Sequence, residues 1–327
     1  MKSVVVIWGL LFLLIGANNV VCHGQVPARE LAAQLKEQIS STYACPMHAE
    51  VTAAQPGKCS KCGMELQPLA GATTEEFIVK TEAFPKRIQA GAKLTLRFTI
   101  FHPVTQAQVK QFHIVHEKPF HLFLIRHDFS HFQHIHPTPQ PDGSFTVETV
   151  LPAAGMYHVF CDISPVGGVA QTIHQTLVTA GFKGDAAVLQ APLKPDQTLT
   201  KTVEGLRVTL DFAPETPRTG QPALLRYKLS EAQTGRPVTD LRPYLGAWGH
   251  TLILSADATD YLHSHPLENH DDAALPRSGP SPATIYFETY FPRPGLYRIW
   301  SQFQRQDKVL TVFFDVQIAE KPEAEGQ

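Results

Sequence analysis

Three features of the 327-residue sequence predict a mainly β protein, most of it two tandem antiparallel β-sandwiches of the immunoglobulin- or cupredoxin-like kind. The first is composition: 26 prolines interrupt the chain, and Val, Thr, Phe and Tyr recur in the runs between them, the pattern of strands separated by turns. The second is a period of two. Leu94, Leu96, Phe98 and Ile100 alternate with Lys93, Thr95, Arg97 and Thr99, so one face of that strand is apolar and the other polar. The third is internal repetition beyond residue 70.

A shift of 129 positions lays Val109 on Val238, Phe112 on Leu241, His121 on His250, Asp128 on Asp257 and Phe132 on Tyr261 without a gap. The same shift lays His134 on His263 and His136-Pro137 on His265-Pro266. After a loop that is longer in the second copy, a shift of 140 lays Glu148-Thr149 on Glu288-Thr289, Pro152 on Pro292, and Gly155-Met156-Tyr157 on Gly295-Leu296-Tyr297. Each copy has room for about seven strands. The repeats are expected at 71–181 and 201–319. Between them, at 182–200, Gly184, Pro192 and Pro195 interrupt any periodicity and predict a linker, and 320–327 reads as a polar tail.

The repeated histidines fall on predicted hairpins. Phe120 to Arg126 and His131 to His136 read as two strands around a loop at Asp128, and Thr251 to Ser255 and Tyr261 to His265 as their counterparts around Asp257. A hairpin symmetric about its loop sets His121 opposite His136, and His250 opposite His265. Residues two apart on a strand share a face, which brings His134 to the first pair and His263 to the second. Opposite Cβ atoms lie about 4.5–5.5 Å apart, close enough for three imidazoles to meet on one ion with bonds of about 2.0–2.1 Å. The expectation is one metal site per sandwich: His121, His134 and His136, and His250, His263 and His265. For a single histidine, a hydrogen-bonded role at a strand end is the simpler reading; survival of all three at equal spacing in diverged copies favours ligands. His113, His116, His127 and His131 have no histidine counterpart in the second copy, and His116 is the best additional candidate because it lies near His121. Cys161, matched by Ser301, reads as a small buried thiol.

The chain opens with Met1-Lys2-Ser3, an apolar run from Val4 to Ile15 and small polar residues to Gly24, the plan of a secretory leader over 1–24. Its apolar part is too short to span a bilayer. Val21 is bulky where a lipidation signal at Cys22 needs a small residue. A helical spacer is expected within 25–42, from Ala28 to Ile39.

Residues 43–70 carry the densest chemistry. Cys45 and His48, then Cys59 and Cys62, form two knuckles, each bringing two side chains round one turn, and Pro56-Gly57 lets them face each other. Four N/S ligands complete a tetrahedron, and Met47 and Met64 add thioethers suited to Cu(I) or Ag(I) rather than to Zn2+. A disulfide between Cys45 and Cys59 or Cys62 is the alternative, but it accounts for neither His48 nor the methionines.

This stretch, with Tyr-x-Cys-Pro-Met-His, Pro-Gly-Lys-Cys and Cys-Gly-Met-x-Leu in order, resembles the small heavy-metal-binding domain of copper and silver efflux proteins, including membrane-fusion subunits and P-type ATPases. The chain lacks the long heptad hairpin of a membrane-fusion subunit. Val-His-Glu-Lys-Pro-Phe-His-Leu, Phe-Gln-His-Ile-His-Pro, Pro-Tyr-Leu-Gly-Ala-Trp-Gly-His and Phe-Pro-Arg-Pro-Gly-Leu-Tyr are similar to stretches of secreted bacterial proteins carrying that same domain. The resemblance implies handling of copper or a related metal. Such relatives often place a Met near the position of Ala247, which makes the second site here weaker or purely imidazole.

Twenty-eight basic against thirty acidic residues leave the chain near neutral, and no basic stretch is interleaved with aromatics, which argues against nucleic acid as a partner. The expected function is an extracytoplasmic protein that sequesters or passes on copper, as Cu(I) in the soft module and as Cu(II), or zinc, at the imidazole sites, with a metal-efflux component as a possible partner. The alternatives are a metal-dependent enzyme using an open fourth position on three histidines, and a metal-free accessory that presents the sandwiches to an efflux system. No carboxylate other than Asp128 and Asp257 accompanies the histidines in both copies, which favours binding over catalysis.

Overall fold

The computed structural model describes residues 42–45, 51–60, 65–68, 72–184, 193–267, 269–270, 273–274 and 279–321. The expected leader, the helix at 28–39, part of the linker and most of the polar tail lie outside these. The described residues are built of strands, with no helix among them, and none of the described helices or strands is a helix long and apolar enough to cross a membrane. The chain divides into two compact units, Met1–Thr73 and Thr74–Gln327.

In the first unit, β1 (Tyr43–Ala44), β2 (Thr52–Ala53) and β3 (Gln67–Pro68) form a small antiparallel sheet in the order β2-β1-β3. The Cys45 amide donates to the Val51 carbonyl at 3.0 Å and the Leu66 amide to the Gly57 carbonyl at 2.8 Å. Among the described residues, Cys45, Cys59 and Leu66 form a buried cluster there, with Tyr43, Val51 and Ala53 packed around them.

The second unit holds the two repeats. The first runs β4 (Ile78–Phe84), β5 (Lys93–Phe101), β6 (Phe120–Arg126), β7 (Phe132–Ile135), β8 (Thr138–Pro139), β9 (Phe145–Val150), β10 (Met156–Ile163) and β11 (Gln171–Val178). The second runs β12 (Thr200–Val203), β13 (Leu206–Ala213), β14 (Pro222–Glu231), β15 (Leu241–Arg242), β16 (His250–Ser255), β17 (Tyr261–Ser264), the short pair β18 (Asn269–His270) and β19 (Ala273–Ala274), β20 (Thr284–Tyr290), β21 (Gly295–Arg305) and β22 (Lys308–Ile318). Sheets β4-β5-β9-β8 and β11-β10-β6-β7 enclose the first core; β12-β13-β14-β20 and a sheet of β15, β16, β17, β21 and β22 enclose the second. All the strand pairings within them are antiparallel.

Each core follows from alternation. Leu94, Leu96, Phe98 and Ile100 of β5 point into the first, and Leu206, Val208 and Leu210 of β13 into the second. The repeated Gly-x-Tyr places a tyrosine at the same corner of each sandwich. The Tyr157 hydroxyl donates to the Ala153 carbonyl at 2.7 Å, the tyrosine-corner bond of immunoglobulin-like sandwiches, whereas the Tyr297 hydroxyl lies 2.9 Å from the Arg293 carbonyl and closer, at 2.6 Å, to the Asp260 carboxylate that takes its hydrogen. Cys161 is a fully buried thiol in the first core, and burial pushes its pKa up.

β6 and β16 break the alternation: every residue from Phe120 to Ile125 and from His250 to Ser255 is buried. The two sandwiches pack sheet against sheet, so these strands face their own core on one side and the other repeat on the other. Phe123, Ile125, Phe129 and Phe160 from the first repeat meet Leu252, Leu254, Ala258 and Trp300 from the second, with Leu193 beside them. Phe132 stacks on Trp300 with centroids 5.0 Å apart and planes 12° apart, and Phe160 on Tyr261 at 4.8 Å. Arg298 binds both oxygens of Asp315 at 2.6 and 2.7 Å and reaches across to the Phe129 carbonyl at 2.9 Å.

One edge of this interface is a chain of histidines. His127 Nδ1 lies 2.8 Å from His158 Nε2, and His158 Nδ1 lies 2.9 Å from His174 Nε2. Burial, then the neighbouring His174 and His127, hold His158 down at a pKa of about 3.

Two outcomes are expected. Trp300→Ala, which empties a site 3% exposed at the centre of the interface, should cost about 3–5 kcal/mol. Scanning calorimetry should then show the two repeats unfolding apart rather than together; one transition at the parent temperature would show that the repeats do not rely on this contact. For His158, the native pKa near 3 lies below the unfolded value near 6.5, so the unfolded chain takes up the proton first. Its contribution is complete above pH about 6.5 and is lost progressively as pH falls toward 3. Urea unfolding of the metal-free protein should therefore lose about 2 kcal/mol more between pH 7.5 and pH 5 than that of His158→Gln. Equal losses would show that the proton is not excluded.

Candidate metal centre at the repeat interface

The hairpin β6-β7 pairs Phe123 with His134 and Leu122 with Ile135, and one further step sets His121 across from His136. The hairpin β16-β17 pairs Leu252 with His263 and Thr251 with Ser264, which sets His250 across from His265. In both, the histidines lie on the face turned away from their own core, toward the other repeat.

His121, His134 and His136 form one tight group. His121 Nδ1 lies 3.1 Å from His134 Nε2 and 3.2 Å from His136 Nε2, and the last two atoms are 3.1 Å apart. The outer nitrogens determine where the protons are. His121 Nε2 is 2.9 Å from the Val115 carbonyl and His134 Nδ1 is 2.8 Å from Gln302 Oε1; both partners are acceptors, so both nitrogens carry the hydrogen. The Gln302 amide nitrogen is accounted for separately, donating to Thr311 Oγ1 at 3.2 Å. His121 Nδ1 and His134 Nε2 are therefore bare lone pairs aimed at one another. His136 has at most one hydrogen to offer between them, and no tautomer satisfies the triangle. A cation does: the three edges are close to the roughly 3.3 Å that separates ligands in a tetrahedron with bonds of about 2.0–2.1 Å.

The second group is not the one the spacing predicts. His250 and His265 are joined by His116 from the first repeat, with ligand nitrogens all within 4.8 Å of one another. His116 stacks on His265 at 3.6 Å with planes 8° apart, and stands edge-on to His250 at 5.4 Å. Sequence proximity pairs His116 with His121, but the turn at Val115–Lys118 carries it away. His116 and Glu117 both have positive φ, 43° and 64°, and this left-handed backbone projects the imidazole across the interface. His250 Nε2 donates to the Tyr244 carbonyl at 2.8 Å, and its Nδ1 is buried without a hydrogen bond, as are both ring nitrogens of His265.

His263 stands beside this group, its ring centroid 4.4 Å from His265 and 6.1 Å from His250. Its Nδ1 donates to Asp162 Oδ2 at 2.8 Å and its Nε2 is buried without a hydrogen bond. Asp162 and Gln302 are the functional residues that the sequence reading missed. They are equivalent under the shift of 140 and are exchanged across the interface: Gln302 of the second repeat holds His134, and Asp162 of the first holds His263. A glutamine matched with an aspartate carries no signal in the sequence, because only the partner sheet gives the pair its role.

Burial keeps His121, His134, His136, His250 and His265 neutral. Burial first, then the neighbouring His263, lowers His121 to about 4, and burial with His121 and Lys118 nearby lowers His136 to about 3. His134, His250 and His265 lie well below the ordinary histidine range, chiefly through burial. Burial pushes the Asp162 carboxyl up, but the hydrogen bond and charge of His263 outweigh it and leave the pKa lowered. The interface thus offers metal ligands in the form a metal takes them.

Of the first unit's candidates, Cys45 and Cys59 are buried together at 3% exposure each. Met47, His48, Cys62 and Met64 lie outside the described residues.

The comparisons divide the chain along the same lines. A family described as "Heavy metal binding domain" matches residues 42–69. Over 34 residues the chain is 53% identical to a copper-transporting P-type ATPase of Rhizobium leguminosarum bv. viciae, a match covering 10% of this chain and 4% of the ATPase. The chain thus spans a small fraction of that relative's length. Among solved structures, the Escherichia coli adhesin FdeC aligns at 12% identity over 75% of this chain and 64% of its own, with a TM-score of 0.23. A Salmonella α-2-macroglobulin mutant aligns at 11% over 76% and 15%, with a TM-score of 0.24. Neither likeness is close enough to carry an argument. The family described as "Domain of unknown function (DUF8832)" matches twice, at residues 72–181 and 201–320, and the chain belongs to this family, with two copies of its domain following a heavy metal binding domain.

Proposed function

We propose that this is an extracytoplasmic copper-binding protein that buffers the metal or hands it on, with one soft and one imidazole donor set on the same chain. The observation that carries this reading is the union of a heavy metal binding domain at 42–69 with three histidine nitrogens 3.1–3.2 Å apart whose tautomers leave lone pairs facing one another. Cys45, His48, Cys59 and Cys62, with Met47 and Met64, would hold Cu(I); His121, His134 and His136 would hold Cu(II) or zinc. Donor sets of different softness allow the metal to be kept in either oxidation state. The leader read in residues 1–24 supports export, and an efflux component is the natural recipient for a chain whose first unit is similar to part of a copper-transporting ATPase. Asp162 is committed to the Nδ1 proton of His263, a positioning role, and this favours binding over acid–base catalysis.

The test is metal competition on the full chain. Under reducing conditions the protein should take Cu(I) from a chromogenic chelator, and Cys45→Ser/Cys59→Ser should lose that soft site while still binding Cu(II). His134→Ala should do the reverse, keeping the Cu(I) site and losing Cu(II) affinity by 10-fold or more. A parent protein that takes no Cu(I), or a double cysteine variant that takes as much as the parent, would sink the reading.

A further inference from the structure

We propose that the histidines of the two repeats make one two-metal centre, assembled only where the sandwiches meet, with His121, His134 and His136 holding one ion and His116, His250 and His265 holding its neighbour. This rests on reading the histidines as metal ligands and replaces two separate sites, one per sandwich, with a joint one.

Three observations carry it. The second group draws a ligand from each repeat: His116 comes from the first, while His250 and His265 come from the second. The position equivalent to His116 in the second copy is Leu245, so no imidazole crosses in the other direction from that turn. Its left-handed turn is kept, with φ 51° at Leu245 and 73° at Gly246, so the fold provides the same projection in both copies and only one uses it for an imidazole.

The two groups also adjoin. The rings of His134 and His250 are 5.8 Å apart, and those of His121 and His263 are 5.7 Å apart. His263 stands between the groups, 5.8 Å from His134 and 4.4 Å from His265. Its Nε2 is buried and makes no hydrogen bond. It stands outside both ligand triangles, its Nδ1 proton held by Asp162 as that of His134 is held by Gln302.

Finally, His250 Nδ1 and both nitrogens of His265 are buried at 2% and 4% residue exposure without hydrogen bonds. Buried polar atoms are rarely left so, and a second cation aimed at by these nitrogens accounts for them. His116 and His136 are only partly buried and mark the rim from which ions enter.

The experiment uses the full chain carrying Cys45→Ser/Cys59→Ser, so that the first unit's soft site does not contribute, titrated with Cu(II) and read by electron paramagnetic resonance and elemental analysis. Two equivalents should bind and give a dipolar-coupled spectrum with a half-field transition. Adding His116→Leu, which installs the second repeat's own residue, should reduce this to one equivalent with an uncoupled signal. Two equivalents with uncoupled spectra in the parent would overturn the joint centre, as would a stoichiometry that His116→Leu leaves unchanged. Should His116→Leu fail to fold, the coupling in the parent decides alone. Absence of Cu(II) binding in the cysteine variant, with Cu(I) still held by the unmodified chain, would overturn this proposal and leave the soft-site reading standing.

Discussion

The packing of one sandwich sheet against the other is the contact on which the rest depends. Phe132 on Trp300, Phe160 on Tyr261 and Arg298 on the Phe129 carbonyl close the interface, and β6 and β16 thereby lose solvent from both faces. Histidines on those faces cannot be solvated, and a buried cationic imidazole is costly, so they stay neutral. Once neutral, each ring has one donor and one acceptor nitrogen. The backbone carbonyls of Val115 and Tyr244, with the Gln302 amide oxygen, take the donors on the outside, which turns the lone pairs inward. Apolar packing at the interface and the inward-facing lone pairs at its rim have a single cause.

Much of this was legible in the chain, because a period of two and a repeat are local signals. The sandwiches, the two hairpins and their register follow from alternation and from the shifts of 129 and 140. The unbroken apolar run around His121, Phe120 to Ile125, also carried the mark of a strand covered on both faces. What covers its outer face did not, since a contact between repeats leaves no periodicity in either one. Two expectations are revised for this reason. His116 groups with His250 and His265 rather than with His121, and His263 stands beside that group, bound to Asp162 of the opposite repeat. The strand count exceeds seven per repeat because β8 in the first, and β12, β15, β18 and β19 in the second, are additions outside the repeated pattern.

The two copies have diverged where symmetry would have made them alike. Gln302 and Asp162 occupy equivalent places, yet the amide leaves His134 in a neutral surrounding while the carboxylate brings a negative charge to His263. A metal-ligating imidazole backed by a carboxylate is the more basic ligand. His116 against Leu245 works in the same direction, adding an imidazole to the second group alone. Two neighbouring ions would then sit in unequal fields, the second group favouring the higher positive charge. A pair of identical sites would hold two ions without preference; an unequal pair would order their arrival and departure, as the proposed handing on of metal requires.

The most direct measurement is anomalous diffraction from crystals of the protein loaded with copper, collected at the copper edge. The account predicts two neighbouring peaks inside the repeat interface, one bonded to His121, His134 and His136 and the other to His116, His250 and His265, at imidazole–metal distances of about 2.0–2.1 Å. Peaks confined to the first unit or the outer surface, with the interface histidines unmoved and no anomalous density between them, would contradict it.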